Sequence, residues 1–178
     1  MATETLRPNG NSQTECYNSD NKQYNNYTYV DETSTNDSDY IYGLISQWKT
    51  DLYTIPAHSI PAGATINKVT FYARFWSSYG SDLCKFAYKS GGTVYYSSAP
   101  DVSNYAAEFS WEQTTNQYTS AAWTRDEITN LLIGVSLNNT GGKTPEKGFC
   151  TQLWIVVDYT EAANTIPIFM NYYQNIMR

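Results

Sequence analysis

Residues 64–77 read ATINKVTFYARFWS, with Val69, Phe71, Ala73 and Phe75 on one side and Lys68, Thr70, Tyr72 and Arg74 on the other. Successive side chains of an extended chain point to opposite faces, so alternation this long specifies a strand with one face buried. Such a strand needs neighbours, and the sequence supplies them. Residues 83–90 place Cys84, Phe86 and Tyr88 on one face, and Gly91-Gly92 then offers the positive-φ positions of a tight hairpin into 93–98. Residues 105–111 alternate again, with Tyr105, Ala107, Phe109 and Trp111 on one side. Residues 149–159 are apolar on both faces between Leu153 and Val157, which predicts a central strand.

Shorter β-type runs lie at 40–44, 51–55 and 135–137. Turn-rich stretches separate them: 56–63 holds two prolines and a glycine, and 138–148 holds three glycines and a proline. One helix is expected after Thr124, because Glu127 three residues on completes a T-x-x-E capping box. Ile128, Leu131 and Leu132 give it an apolar stripe, and Gly134 is read as its end. Residues 9–39 are dominated by Asn, Ser, Thr, Asp and Tyr and read as loops with a short strand near 27–30. Disorder is the competing reading of this polar stretch, against which its tyrosines tell. Many short strands with a single helix predict an all-β fold, a jelly-roll-like antiparallel β-sandwich with one short helix and a C-terminal extension.

The expected division is a sandwich over 1–160 and a linker with an apolar anchor tail over 161–178. The tail carries Ile166, Ile168, Phe169, Met170, Tyr172, Tyr173, Ile176 and Met177, with Pro167 suited to a first helical position. So apolar a segment is costly to leave in water. It is read as partner-binding, with folding back onto the domain as an equal alternative and a disordered end as a third.

Composition narrows the function. Charged residues make up 16% of the 178, and the net charge is −6. An acidic chain with no basic run argues against nucleic acid as a partner. The low charge content suits close packing against neighbouring subunits. The N-terminal MATETLRPNGN lacks a basic region followed by an apolar stretch, so synthesis in the cytoplasm without a secretory signal is expected. No apolar run is long enough to cross a bilayer, so no membrane partner is expected. Cys16, Cys84 and Cys150 are an odd, widely spaced set. They read as buried thiols, and a Cys84–Cys150 bridge stays open.

Catalytic constellations fail on residue type or spacing. Gly141-Gly142-Lys143-Thr144 resembles the end of a phosphate loop, but Leu137 stands where the motif needs glycine. His58 is the only histidine and sits in a proline-rich turn. Glu108 and Glu112 fall on the solvent side of their strand. Asp31, Glu32, Asp37 and Asp39 crowd oxygen ligands and form a weak Ca²⁺ candidate, with a solvated acidic turn as the stronger reading. No enzyme activity and no cofactor are expected. The aromatics Trp48, Tyr72, Trp76, Tyr79, Tyr95 and Trp154 are left for rim packing, a protein interface or a glycan platform. The sequons at Asn26, Asn36 and Asn138 fit surface loops.

The order of segments resembles a group of jelly-roll β-sandwich proteins encoded by phages, prophages and archaeal viruses. TLRPNG at 5–10 is similar to their opening strand, and Val30-Asp31-Glu32 followed by Asp39-Tyr40-Ile41-Tyr42 is similar to their V-D-E and D-x-Y segment. IPAGATINKVTFYAR, AAWTRDEITNLLIGVSL and TQLWIVVDY resemble their long strand, helix–strand unit and closing strand. The resemblance covers most of residues 4–159 and rests on structural motifs, so it carries over no functional residue. It implies a virion structural protein: a capsid decoration, a head fibre or a tail component. Its partners would be other virion or assembly subunits, with homo-oligomerisation. A carbohydrate- or receptor-binding sandwich and a subunit of a cell-surface filament or sheath are the alternatives.

Overall fold

The computed structural model describes residues 1–44, 47–78, 82–141 and 146–162. The anchor tail, Tyr79 and Gly142-Lys143-Thr144 lie outside the described residues. In chain order the strands are β1 (Ala2–Leu6), β2 (Gly10–Gln13), β3 (Tyr17–Asn18), β4 (Ile41–Tyr42), β5 (Lys49–Thr54), β6 (Thr65–Ser77) and β7 (Cys84–Ser90). They continue with β8 (Thr93–Tyr96), β9 (Ala107–Gln113), β10 (Thr115–Asn116) and β11 (Ala121–Ala122). After the helix α1 (Arg125–Thr129) come β12 (Leu132–Leu137) and β13 (Gly148–Thr160).

Eight of these strands pair first with last. β1 lies antiparallel to β13, β5 to β12, β6 to β9, and β7 to β8. The chain therefore behaves as one long hairpin rolled up, with its innermost turn at Gly91-Gly92, where φ is +56° and +89°. Rolling places β13 beside β6 and β12 beside β7, giving two sheets ordered β3-β4-β13-β6-β9 and β2-β5-β12-β7-β8. β1 adds to the first sheet alongside β13. This first-to-last pairing across two sheets is the jelly-roll order. The structure is an all-β sandwich, as the alternation predicts.

The inner faces meet as the sequence pattern requires. Val69, Phe71, Ala73 and Phe75 of β6 are fully buried, as are Leu153, Ile155 and Val157 of β13. Across the interior, Phe71 stacks on Tyr88 at 5.2 Å between ring centres, and Phe75 meets Phe86 edge-on at 5.1 Å. Each such side chain contributes about 1.5–3 kcal/mol of burial, so this seam holds the two sheets together. β13 is central and carries a register shift between Cys150 and Gln152. Thr151 is the extra residue, and the bulge preserves inward Cys150 and Leu153 on either side of it.

The capping box forms as expected. Thr124 Oγ1 accepts from the Glu127 backbone N–H at 3.2 Å, while the Glu127 carboxylate accepts from Thr124 N–H at 2.7 Å. Ile128 and Leu131 enter the core. Three expectations need correction. Gly134 does not end the helix; it lies inside β12, where a Cβ would sit 2.0 Å from the Asp51 carbonyl oxygen. Only the absence of a side chain lets β12 approach β5 there. Residues Asn26–Tyr29 form a 3-10 turn, not a strand, because Asn26 turns inward to hydrogen-bond. Tyr105 is 76% exposed and precedes β9, which begins at Ala107. The three cysteines are the buried free thiols that the sequence reading favours, and the Cys84–Cys150 pairing left open there does not form.

Candidate functional site

The acidic stretch after Val30 does not gather into one ligand set. Asp37 is held by Arg74 through two bonds of 2.9 and 2.8 Å, and accepts from Thr151 Oγ1 at 3.2 Å. The Arg74 guanidinium holds the Asp37 carboxyl below its usual range. Asp39 accepts from Asn36, whose own Oδ1 accepts from Ser38 N–H in an Asx turn. Asp31 and Glu32 lie near Arg7. Among the described residues, no three His, Cys, Asp or Glu side chains converge as metal ligands.

Glu32 is the unusual member. Both its carboxylate oxygens are buried and accept no hydrogen bond from another described side chain, and Arg7 Nη1 is likewise buried and unused. Burial, followed by the nearby Asp31 and Asp39 charges, pushes the Glu32 carboxyl up to about 7, opposed by its own backbone N–H and by Arg7. Arg7 instead lies over the Trp154 ring at 4.9 Å.

The outer face of the first sheet is aromatic. Tyr72 and Trp154, paired across β6 and β13, stack at 5.3 Å with planes 6° apart. Further along the same strands, Trp76 stacks on Phe149 at 3.8 Å, with Tyr40 edge-on to both and Tyr42 tilted against Phe149. These rings come from β6, β13, β4 and Tyr40 just before it; Phe149, 7% exposed, is buried beneath the partly exposed others. Tyr95 belongs elsewhere: it stacks on Tyr88 at 5.2 Å and packs against the core.

The second sheet carries a pocket of about 400 Å³, lined by Gln13, Glu15, Trp48, Thr50, Lys85, Tyr96 and Ser136. Register explains it. Ser136 lies opposite Thr50 on one side and Lys85 on the other, so three neighbouring strands aim these side chains outward in one row. Thr50 Oγ1 donates to Ser136 Oγ at 3.1 Å, and Tyr96 Oη lies 3.4 Å from Thr50 Oγ1. Trp48, two residues before Thr50, shares its face. Lys85 Nζ rests 4.1 Å from the Trp48 ring centre.

Glu15 closes the pocket, and a buried carboxylate behind it holds it there. Asp51 Oδ1 accepts from the backbone N–H groups of Glu15 at 2.6 Å and Cys16 at 2.8 Å. Asp51 Oδ2 accepts from Asn26 Nδ2 at 2.7 Å and Tyr53 Oη at 3.0 Å. Burial pushes the Asp51 carboxyl up, against the pull of these donors. So anchored, Glu15 accepts from Thr50 N–H at 2.9 Å and Gln13 Nε2 at 3.1 Å. The same network corrects the Asn26 sequon, because Asn26 is fully buried and its amide is spent on Asp51 and the Cys16 carbonyl.

His58 Nε2 lies 3.2 Å from the Arg125 carbonyl oxygen and 3.0 Å from Thr129 Oγ1, and Glu108 and Glu112 are exposed on β9. Of the pocket, sequence reasoning singled out Trp48 alone. The missing signal was register: Thr50, Lys85 and Ser136 are 86 residues apart at the extremes and carry no motif. No helix among the described residues is long and apolar enough to cross a membrane. No protein-family model matches the chain, and no curated protein matches it.

Proposed function

We propose that the chain is a non-enzymatic structural subunit of a virion, acting by docking and self-association. The observation that supports this reading best is the strand order. A rolled hairpin with first-to-last pairing is an architecture used by viral capsid and lectin domains, and it agrees with the segment resemblance drawn from the sequence. Fold alone does not fix a role. The outer aromatic cluster of Tyr40, Tyr42, Trp76 and Phe149 supplies rings of the kind enriched at protein interfaces. The apolar residues Ile166, Ile168, Phe169, Met170, Tyr172, Tyr173, Ile176 and Met177 are the proposed anchor into a neighbouring subunit.

The test is the mass of the full chain and of a 1–162 truncation by size-exclusion chromatography with light scattering, followed by negative-stain electron microscopy. The full chain is expected to form a discrete oligomer or particle component, and the truncation to stay monomeric. A full chain that remains monomeric at high concentration contradicts the reading. So does a truncation that assembles equally well.

A further inference from the structure

We infer that the pocket over β5, β7 and β12 is a binding site for a saccharide ring. This goes beyond the docking role proposed above and stands without it, since it uses the opposite sheet and no residue of the tail. The volume of about 400 Å³ falls in the range of small-molecule clefts, about 300–1,000 Å³. Its chemistry is mixed in a way that few ligand classes match. The floor is a pair of hydroxyls, Thr50 and Ser136, 6% and 1% exposed and locked to each other. A hydroxyl both donates and accepts, so each retains capacity for a further partner.

Around the floor stand Glu15 as an acceptor, Gln13 and Tyr96 as mixed groups, and Lys85 as a donor. Lys85 forms no ion pair among the described residues. Two rings complete the walls, Trp48 at 37% and Tyr96 at 47% exposure. A pyranose presents what this lining asks for: apolar C–H faces for the rings, and an edge of hydroxyls that each donate and accept. A phosphate ligand fits poorly, because the lone cation shares the pocket with the Glu15 carboxylate. A wholly apolar ligand would cover the hydroxyl floor without satisfying it.

The test uses the full chain, with glucose, galactose, mannose, N-acetylglucosamine and glucuronate as probes, read by saturation-transfer difference NMR and by chemical shifts of labelled protein. At least one sugar is expected to bind in the millimolar range, moving the Trp48 indole N–H and the β5 and β12 amides around Thr50 and Ser136. Trp48→Ala and Tyr96→Ala should each weaken it about tenfold, the size of one lost ring contact. Tyr72→Ala, on the opposite sheet, should leave it unchanged. If a variant fails to fold, the wild-type shift map decides: shifts clustered on the pocket support the site, and shifts elsewhere overturn it. Absence of binding across the panel overturns it too, as does binding indifferent to both Trp48 and Tyr96.

Discussion

Asp51 shows how one side chain organises a polar segment with little apolar residue to bury. Four donors converge on its carboxylate, and three of them, from Glu15, Cys16 and Asn26, tie residues 15–26 to β5. Replacing it by Asn puts an amide N–H₂ among those donors, leaving at least one pair of facing donors unsatisfied. Asp51→Asn is expected to cost about 2–4 kcal/mol, read as a lower urea midpoint with an unchanged slope. Glu32 behaves oppositely, because burial outweighs the help its carboxylate receives from its own backbone N–H and from Arg7. Its ordinary value of 4.5 is raised to about 7 in the folded chain. The folded state therefore keeps a proton that the unfolded chain releases, and stability falls as pH rises from about 4.5 to 7. Glu32→Gln removes that loss. The variant should match the wild type near pH 4 and exceed it by about 1 kcal/mol at pH 8, a figure reduced for a half-buried group. Equal stability differences at both pH values would contradict this account of Glu32. Neither residue was legible beforehand. A lone Asp in a β-type run looks like an edge residue, and Glu32 looked like one acid among four.

The strands were legible where alternation ran long. β6, β7 and β13 announce themselves through inward side chains such as Phe71, Phe86 and Leu153, whose burial dominates any local preference. The helix was legible from its start and not from its end. Thr124 and Glu127 form a local motif, whereas Gly134 is required by a neighbouring strand far away in sequence. A helix stop and a close strand approach look alike when only the glycine is visible. Gly134→Ala tests the second reading. With the Asp51 carbonyl 2.0 Å from the new Cβ, β12 must part from β5, and a loss of at least about 2 kcal/mol is expected in chemical unfolding. A change within a few tenths of a kcal/mol would mean the strands separate freely there. Residues 9–39 resisted reading for a different reason. Their order comes from amide and carboxylate pairing, as in Asn18, Asn26 and Asp51, and hydrogen-bonded polar side chains leave no periodicity in sequence.

At the scale of the molecule, one rolled hairpin explains both the sheet order and the separation of the two outer faces. The outer aromatic rings lie on the sheet of β4, β6 and β13, and the polar pocket over β5, β7 and β12, so the proposed docking face and the proposed ligand site use opposite sheets. The pairing of β1 with β13 closes the roll within the described residues, and the buried interior from Leu6 to Tyr159 forms one connected cluster. The anchor role proposed for residues 166–178 requires the sandwich over residues 1–162 to be stable without them. Thermal and urea unfolding of the full chain and of the 1–162 truncation, both measured as monomers at low concentration, test this most directly. Coincident transitions with the same midpoint and slope are the predicted result. A truncation that is unfolded, or that melts more than about 8 °C lower, would show the tail to be part of the core and remove the anchor from the account.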